Sequence, residues 1–172
     1  MTLHLSPDEI EAAFEEVFDQ AIVFHGFADF MRDYDVIVYA TSDPRTGISP
    51  ETLRYRFRHC VRANITTAVP HGVWASSLDD RLTDYESGVD LDGYVWGVKW
   101  QALYPGIKLV PDSREATDWS GQIQLPLHQA IIETNGHNID LIFSGLEVTA
   151  LAPGWSPFTV EHGGPDWKIP LG

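Results

Sequence analysis

Apolar and polar residues alternate without a break from Leu53 to Thr67. Leu53, Tyr55, Phe57, His59, Val61, Ala63 and Ile65 hold one set of positions. Arg54, Arg56, Arg58, Cys60, Arg62, Asn64 and Thr66 hold the other. A period of two sends successive side chains to opposite faces of a strand, so the pattern predicts one long, half-buried strand in an antiparallel sheet. Nearer the N-terminus the period is helical. Ser6-Pro7-Asp8-Glu9 is a start signal: Ser6 can cap, Pro7 suits the first helical position and Glu9 completes a capping box. Ile10, Phe14, Val17 and Phe18 then fall on one side, with Glu11, Glu15, Glu16 and Asp19 covering the rest. This predicts an amphipathic helix of about three turns.

Most of the remaining chain reads as β. Ala21 to His25 and Tyr34 to Ala40 are rich in β-branched and aromatic residues, and Ser42 to Pro50 is a loop broken by two prolines and a glycine. Trp74, Leu78, Leu82 and Tyr85 have the spacing of a second helix, with Asp79, Asp80 and Asp84 toward solvent. After a loop from Ser87 to Gly93, Tyr94 to Trp100 alternates as a strand. Tyr104-Pro105-Gly106 is a turn, Ile107 to Val110 a short strand, and Asp112 or Ser113 caps a helix that runs through Trp119 and stops at Gly121. Asn135-Gly136 joins two β runs as a hairpin. A two-residue turn sets Thr134 opposite His137, Ile132 opposite Ile139, Ala130 opposite Leu141 and His128 opposite Phe143. Ala130, Ile132, Ile139, Leu141 and Phe143 then form a core face, and the sheet continues through Leu146 to Thr149. The fold expected is β-dominated α+β: an antiparallel sheet or sandwich of about six to eight strands, an N-terminal helix, and one or two further helices. Residues 1–151 form one domain, and 152–172 are an extended segment rich in proline, glycine and tryptophan, packed on the domain or on a partner.

Composition narrows the function. The chain has 172 residues and is 44% hydrophobic, enough for one domain with a real core. A net charge of −14 argues against non-specific binding to nucleic acid or to an anionic membrane face. The first residues carry no basic or apolar leader pattern and no stretch has the length of a membrane span, so the expected location is cytoplasmic. One cysteine, Cys60, leaves no intrachain disulfide.

Candidate chemistry is sparse. Arg54, Arg56, Arg58 and Arg62 are four of eleven basic residues on one stripe, with neighbours about 7 Å apart. Such a stripe needs anionic company, either the protein's own acids from the first helix or residues 79–92, or an anionic ligand or acidic partner surface. Tyr94, Trp96, Val98 and Trp100 form an aromatic stripe, which is core or a stacking platform for a planar ligand. The run through Asp90-Leu91-Asp92-Gly93 fails the calcium-loop pattern because Gln101 falls where an acid is required. His59 and Cys60 are adjacent on a strand and point apart. No catalytic or cofactor motif is present, and no metal set is assigned. A weak internal repeat lays Tyr55-Arg56-Phe57-Arg58-His59-Cys60 on Leu141-Ile142-Phe143-Ser144-Gly145-Leu146, matching Phe57 with Phe143, and would bring His25 to His128.

The segments Phe24-His25-Gly26-Phe27, Arg32-Asp33-Tyr34-Asp35, Tyr55-Arg56-Phe57-Arg58-His59-Cys60 and Asn135-Gly136-His137-Asn138 resemble bacterial proteins of the YxiG-like kind. They are also faintly similar to small β-rich immunity proteins. The resemblance implies a binding module encoded near secreted toxins and carries over no catalytic residues. Two functions follow as expectations. One is a non-enzymatic interaction module that presents an acidic surface to a basic partner. The other is a small-molecule-binding protein or cofactor-free enzyme, with a pocket for an anionic or aromatic ligand between the Trp96/Trp100 strand and the Arg54/Arg56/Arg58 strand.

Overall fold

The structure is a computed structural model that describes residues 5–42, 44–68, 71, 101–153 and 155. The helix expected at Trp74 to Tyr85, the acidic run, the Tyr94 to Trp100 strand with Trp96 and Trp100, and nearly all of 152–172 lie outside the described residues.

The capping box forms as the sequence requires. Ser6 Oγ accepts from the Glu9 amide, and the Glu9 carboxylate accepts from the Ser6 amide at 2.7 Å. Helix α1 (Pro7–Glu15) follows, with Ile10, Phe14 and the nearby Val17 buried. Phe18 departs from the expectation: it is 49% exposed, and its ring lies 5.9 Å from that of Tyr104. The helix ends at Glu15, and Asp19 turns the chain with φ +60, so helical spacing no longer governs position 18.

Among the described residues nine strands then form two antiparallel sheets, more than the six to eight expected. They are β1 (Ala21–Ala28), β2 (Asp33–Ala40), β3 (Glu51–Arg58), β4 (Arg62–Thr67), β5 (Gln101–Ala102), β6 (Gly106–Leu109), β7 (His128–Glu133), β8 (His137–Phe143) and β9 (Gly145–Ala150). The first sheet has the order β5-β1-β2-β3-β9 and the second β4-β8-β7-β6. The hairpin register is the one read from Asn135-Gly136, with Ile132 opposite Ile139, Ala130 opposite Leu141 and His128 opposite Phe143. Helix α2 (Arg114–Ile123) is capped by Ser113 and continues past Gly121, to end where Gln124 takes a left-handed φ of 56°. Among the described residues no helix is long and apolar enough to cross a membrane.

The long strand from Leu53 to Thr67 is in fact two strands in different sheets. His59 has φ +46, its amide donates to the Asp33 carboxylate at 2.9 Å, and the Cys60 amide donates to the Arg32 carbonyl at 2.7 Å. The chain therefore leaves β3 and joins the second sheet as β4. Alternation is kept on both sides of the break, so the pattern does not mark it. Cys60 moves from the expected polar face into the core, and Ile65 on the edge strand is 47% exposed. The opposite exchange occurs at Ser144. The β8 strand ends in the second sheet, and β9 pairs with β3 in the first, rather than extending its own sheet as expected. The two crossings lie side by side. The Ser144 amide donates to the Arg58 carbonyl at 2.8 Å, the Val61 amide to the Ile142 carbonyl at 2.9 Å, and the Phe57 and Phe143 rings meet edge-on at 4.8 Å.

Each sheet is thus built on a three-stranded meander, β1-β2-β3 or β6-β7-β8, joined by the continuation of the other's third strand, and the first sheet adds β5 beside β1. The matching of Phe57 with Phe143 agrees with this topology. The matching of His25 with His128 does not, because β1 corresponds in order to β6 and not to β7. Inner residues of both sheets share one core. Ile22, Tyr34, Val36, Tyr55 and Phe57 pack with Ile107, Ala130, Ile132, Ile139, Leu141 and Phe143, and α1 closes it with Ile10, Phe14 and Val17. A smaller cluster joins Ala116 of α2 to Leu127 and Ile142 on the outer side of the second sheet.

Candidate functional site

The predicted arginine stripe is split by the break at His59. Arg54, Arg56 and Arg58 stand on the outer face of the first sheet, opposite the side that buries Tyr55 and Phe57. Arg62 stands on the second sheet. Each guanidinium meets a carboxylate. Arg56 and Asp35 are cross-strand partners and form a two-pronged pair at 2.7 and 2.8 Å. Arg58 reaches Asp33 at 3.3 Å and Glu147 at 3.7 Å, and Arg54 reaches Glu147 at 4.0 Å. Arg62 bridges Glu115 of α2 and Asp140 of β8. Among the described residues these partners come from β2, β8, β9 and α2 and not from the first helix; residues 79–92, the other source expected, lie outside the described residues. The missed signal is in β2 itself: Asp33 and Asp35 alternate with Tyr34 and Val36, so they share the face that the arginines use on the next strand. The hydrogen bond to Asp35 raises the Arg56 guanidinium still further above its ordinary range.

Histidine chemistry assembles elsewhere, on the inner side of the two sheets. His25 meets His137 and not His128. Tyr34 is buried and its phenol pKa is raised; because His137 Nδ1 accepts from the Gln101 amide, His25 carries its proton on Nε2 and its Nδ1 accepts from the Tyr34 hydroxyl at 2.8 Å. In that tautomer His25 Nε2 donates to His137 Nδ1 at 3.2 Å. Gln101 Nε2 donates to the same nitrogen at 2.8 Å, while Gln101 Oε1 accepts from the His137 amide at 3.1 Å. Burial first, and the neighbouring His137 second, lower the His25 pKa to about 4. The arrangement is a hydrogen-bonded chain, Tyr34 to His25 to His137, that ties β1 of one sheet to β8 of the other. Gly136 serves this cluster through space rather than through a left-handed φ. A Cβ there would lie 2.5 to 2.8 Å from the Gln101 side chain. His128 packs against Phe143, and burial lowers its pKa. Cys60 is buried, and desolvation pushes its thiol up to about 11, which suits a structural cysteine. Among the described residues no group of three or more His, Cys, Asp and Glu side chains is placed to hold a metal ion.

The third feature is α1. Asp8, Glu9, Glu11, Glu15, Glu16 and Asp19 are all exposed, and no basic residue lies between Leu5 and Gln20. Beside it a cleft of about 350 Å³ runs between the first turns of α1 and α2, with Asp8, Glu11, Asp112 and His128 among its lining.

A family model described as YxiG-like protein matches residues 6–161. The chain belongs to the YxiG-like family. No curated protein matches it. For this YxiG-like chain the matched span covers both sheets, both crossings, α1 and α2. The arginine–carboxylate faces, the Tyr34–His25–His137 chain and the acidic helix therefore all lie within the family's own boundaries. Trp96 and Trp100 also fall within that span, although their placement is outside the described residues.

Proposed function

We propose that this YxiG-like protein is a non-enzymatic binding module that presents an acidic surface to a basic protein partner, as an immunity protein does. The observation that carries this reading is the separation of charge. Arg54, Arg56 and Arg58 face Asp33, Asp35 and Glu147, so three cations are matched by three anions within the first sheet. The six carboxylates on and just after α1 have no such basic neighbours in sequence, and all of them face solvent. A partner with a positive surface would be steered to that helix. A ligand pocket against Arg54, Arg56 and Arg58 is the weaker proposal, because an incoming anion would have to displace carboxylates already in place.

The test uses the tagged full chain. Its partner is recovered from the producing cells, identified, purified, and titrated against the wild type and against Asp8→Asn/Glu11→Gln/Glu15→Gln/Glu16→Gln. A basic partner is expected, with association slowed at least tenfold by the variant and by raising salt to about 0.3 M. A partner that is acidic, or an association rate indifferent to both changes, overturns the reading.

A further inference from the structure

The turn between β1 and β2 places three successive non-glycine residues in the left-handed region: Asp29 at φ 53°, Phe30 at 61° and Met31 at 63°. That conformation is unfavourable for side chains with a Cβ, and runs of it are rare. The side chains it presents are apolar and uncovered. Phe30 is 92% exposed, Met31 73% and Phe27 40%. The base of the turn is firmly held. The Arg32 carbonyl accepts the Cys60 amide at 2.7 Å, the Arg32 amide donates to the Asp29 carbonyl at 3.4 Å, and Phe27 sits edge-on to the fully buried Tyr34 at 5.1 Å. Neither Phe30 nor Met31 contributes to the core, and a glycine-containing turn would join the strands without strain. A rigid base, a strained tip and two exposed apolar side chains describe an anchor prepared for insertion.

We propose that Phe30 and Met31 are the apolar anchor of a protein–protein contact, received by a hydrophobic socket with a basic rim on a different protein. The socket's charge rests on the function proposed above; the anchor itself does not. A second copy is disfavoured as the occupant because two chains of net charge −14 repel, and an anionic lipid surface is disfavoured for the same reason. Within the turn, exposed Asp29 and Arg32 flank the pair and offset each other in charge. A large aromatic side chain seated in a desolvated pocket slows dissociation, and a turn already fixed in its bound shape loses little entropy on docking.

The experiment places p-benzoylphenylalanine at position 30 of the full chain in the producing cells and cross-links with light. The adduct's protein is identified and purified, then titrated with wild type, Phe30→Ser, Met31→Ser and Phe30→Gly. The anchor predicts a different protein in the adduct, and the function proposed above predicts that this protein is basic. The anchor also predicts affinity at least roughly tenfold weaker for each variant, mainly through faster dissociation, even at about 0.3 M salt. The Tm of Phe30→Gly should not fall, since glycine tolerates this φ; a fall would assign Phe30 to the fold instead. An adduct only with a second copy or with lipid, no adduct, or unchanged affinity of Phe30→Ser overturns the inference. The two proposals fail separately. If the tip variants weaken binding while salt and the α1 variant change nothing, the anchor stands and the acidic-surface reading falls. The reverse result removes the anchor alone.

Discussion

His25 is a basic side chain held neutral, and that has a cost as pH falls. Its nitrogens are both occupied, one by the Tyr34 hydroxyl and one by His137. A proton added at Nδ1 would force the Tyr34 hydroxyl to turn from donor to acceptor, and a charge on the ring would face His137 across 3.2 Å. The folded pKa of about 4 lies below the ordinary histidine value, so between those two values the unfolded chain binds more protons than the folded one. Stability contributed by His25 is fully present at neutral pH and is lost as pH falls from about 6.5 toward 4. The ring is only partly buried, so screening limits the loss to roughly 2 kcal/mol. Urea midpoints measured from pH 7 to pH 4 are expected to fall for wild type and to fall distinctly less for His25→Gln, whose amide still accepts from Tyr34. Parallel curves for the two proteins would remove His25 from the acid response.

At the scale of strands, the outer face of the first sheet is an ordered exchange of charge between neighbours. Asp35 is 7% exposed and takes both prongs of Arg56, whereas Arg54 meets Glu147 only at 4.0 Å near solvent. Breaking a desolvated pair strands its partner, while an exposed pair contributes little. Asp35→Ala is expected to destabilise by about 3 kcal/mol in chemical denaturation, and Arg54→Ala by less than about 1 kcal/mol. Equal losses would mean that the face is uniformly solvated. The elements themselves were largely legible: the Ser6 to Glu9 box, the β1 and β2 runs, and the Asn135-Gly136 register all follow from local pattern. The break at His59 was not, because period two persists through it and the deciding bonds come from Asp33 and Arg32, far away in sequence. The site shows the same division. The arginine stripe was visible as residue types, but its matching acids depended on strand order. His137 was invisible as the partner of His25 because they are 112 residues apart and in different sheets. Phe30 and Met31 left a local trace, two apolar residues where a turn should be polar.

For the whole molecule, the net charge of −14 conceals a division of labour. Among the described residues the paired cations stand on the sheets, and α1 carries exposed acids with no basic residue beside them in sequence. The sheets are also bound into each other by the reciprocal crossings at His59 and Ser144. Neither sheet can lose its last strand without pulling on the third strand of the other. The molecule therefore has no seam along which half of it can open first, and the two sheets make a single cooperative unit despite their separate hydrogen-bond networks. Native-state amide exchange should assign the central amides of β2 and β7 the same opening free energy; a gap well above about 1 kcal/mol would show that one sheet opens alone. A chain of this design would give way all at once or not at all, and the strained turn between β1 and β2 would hold its shape until it did.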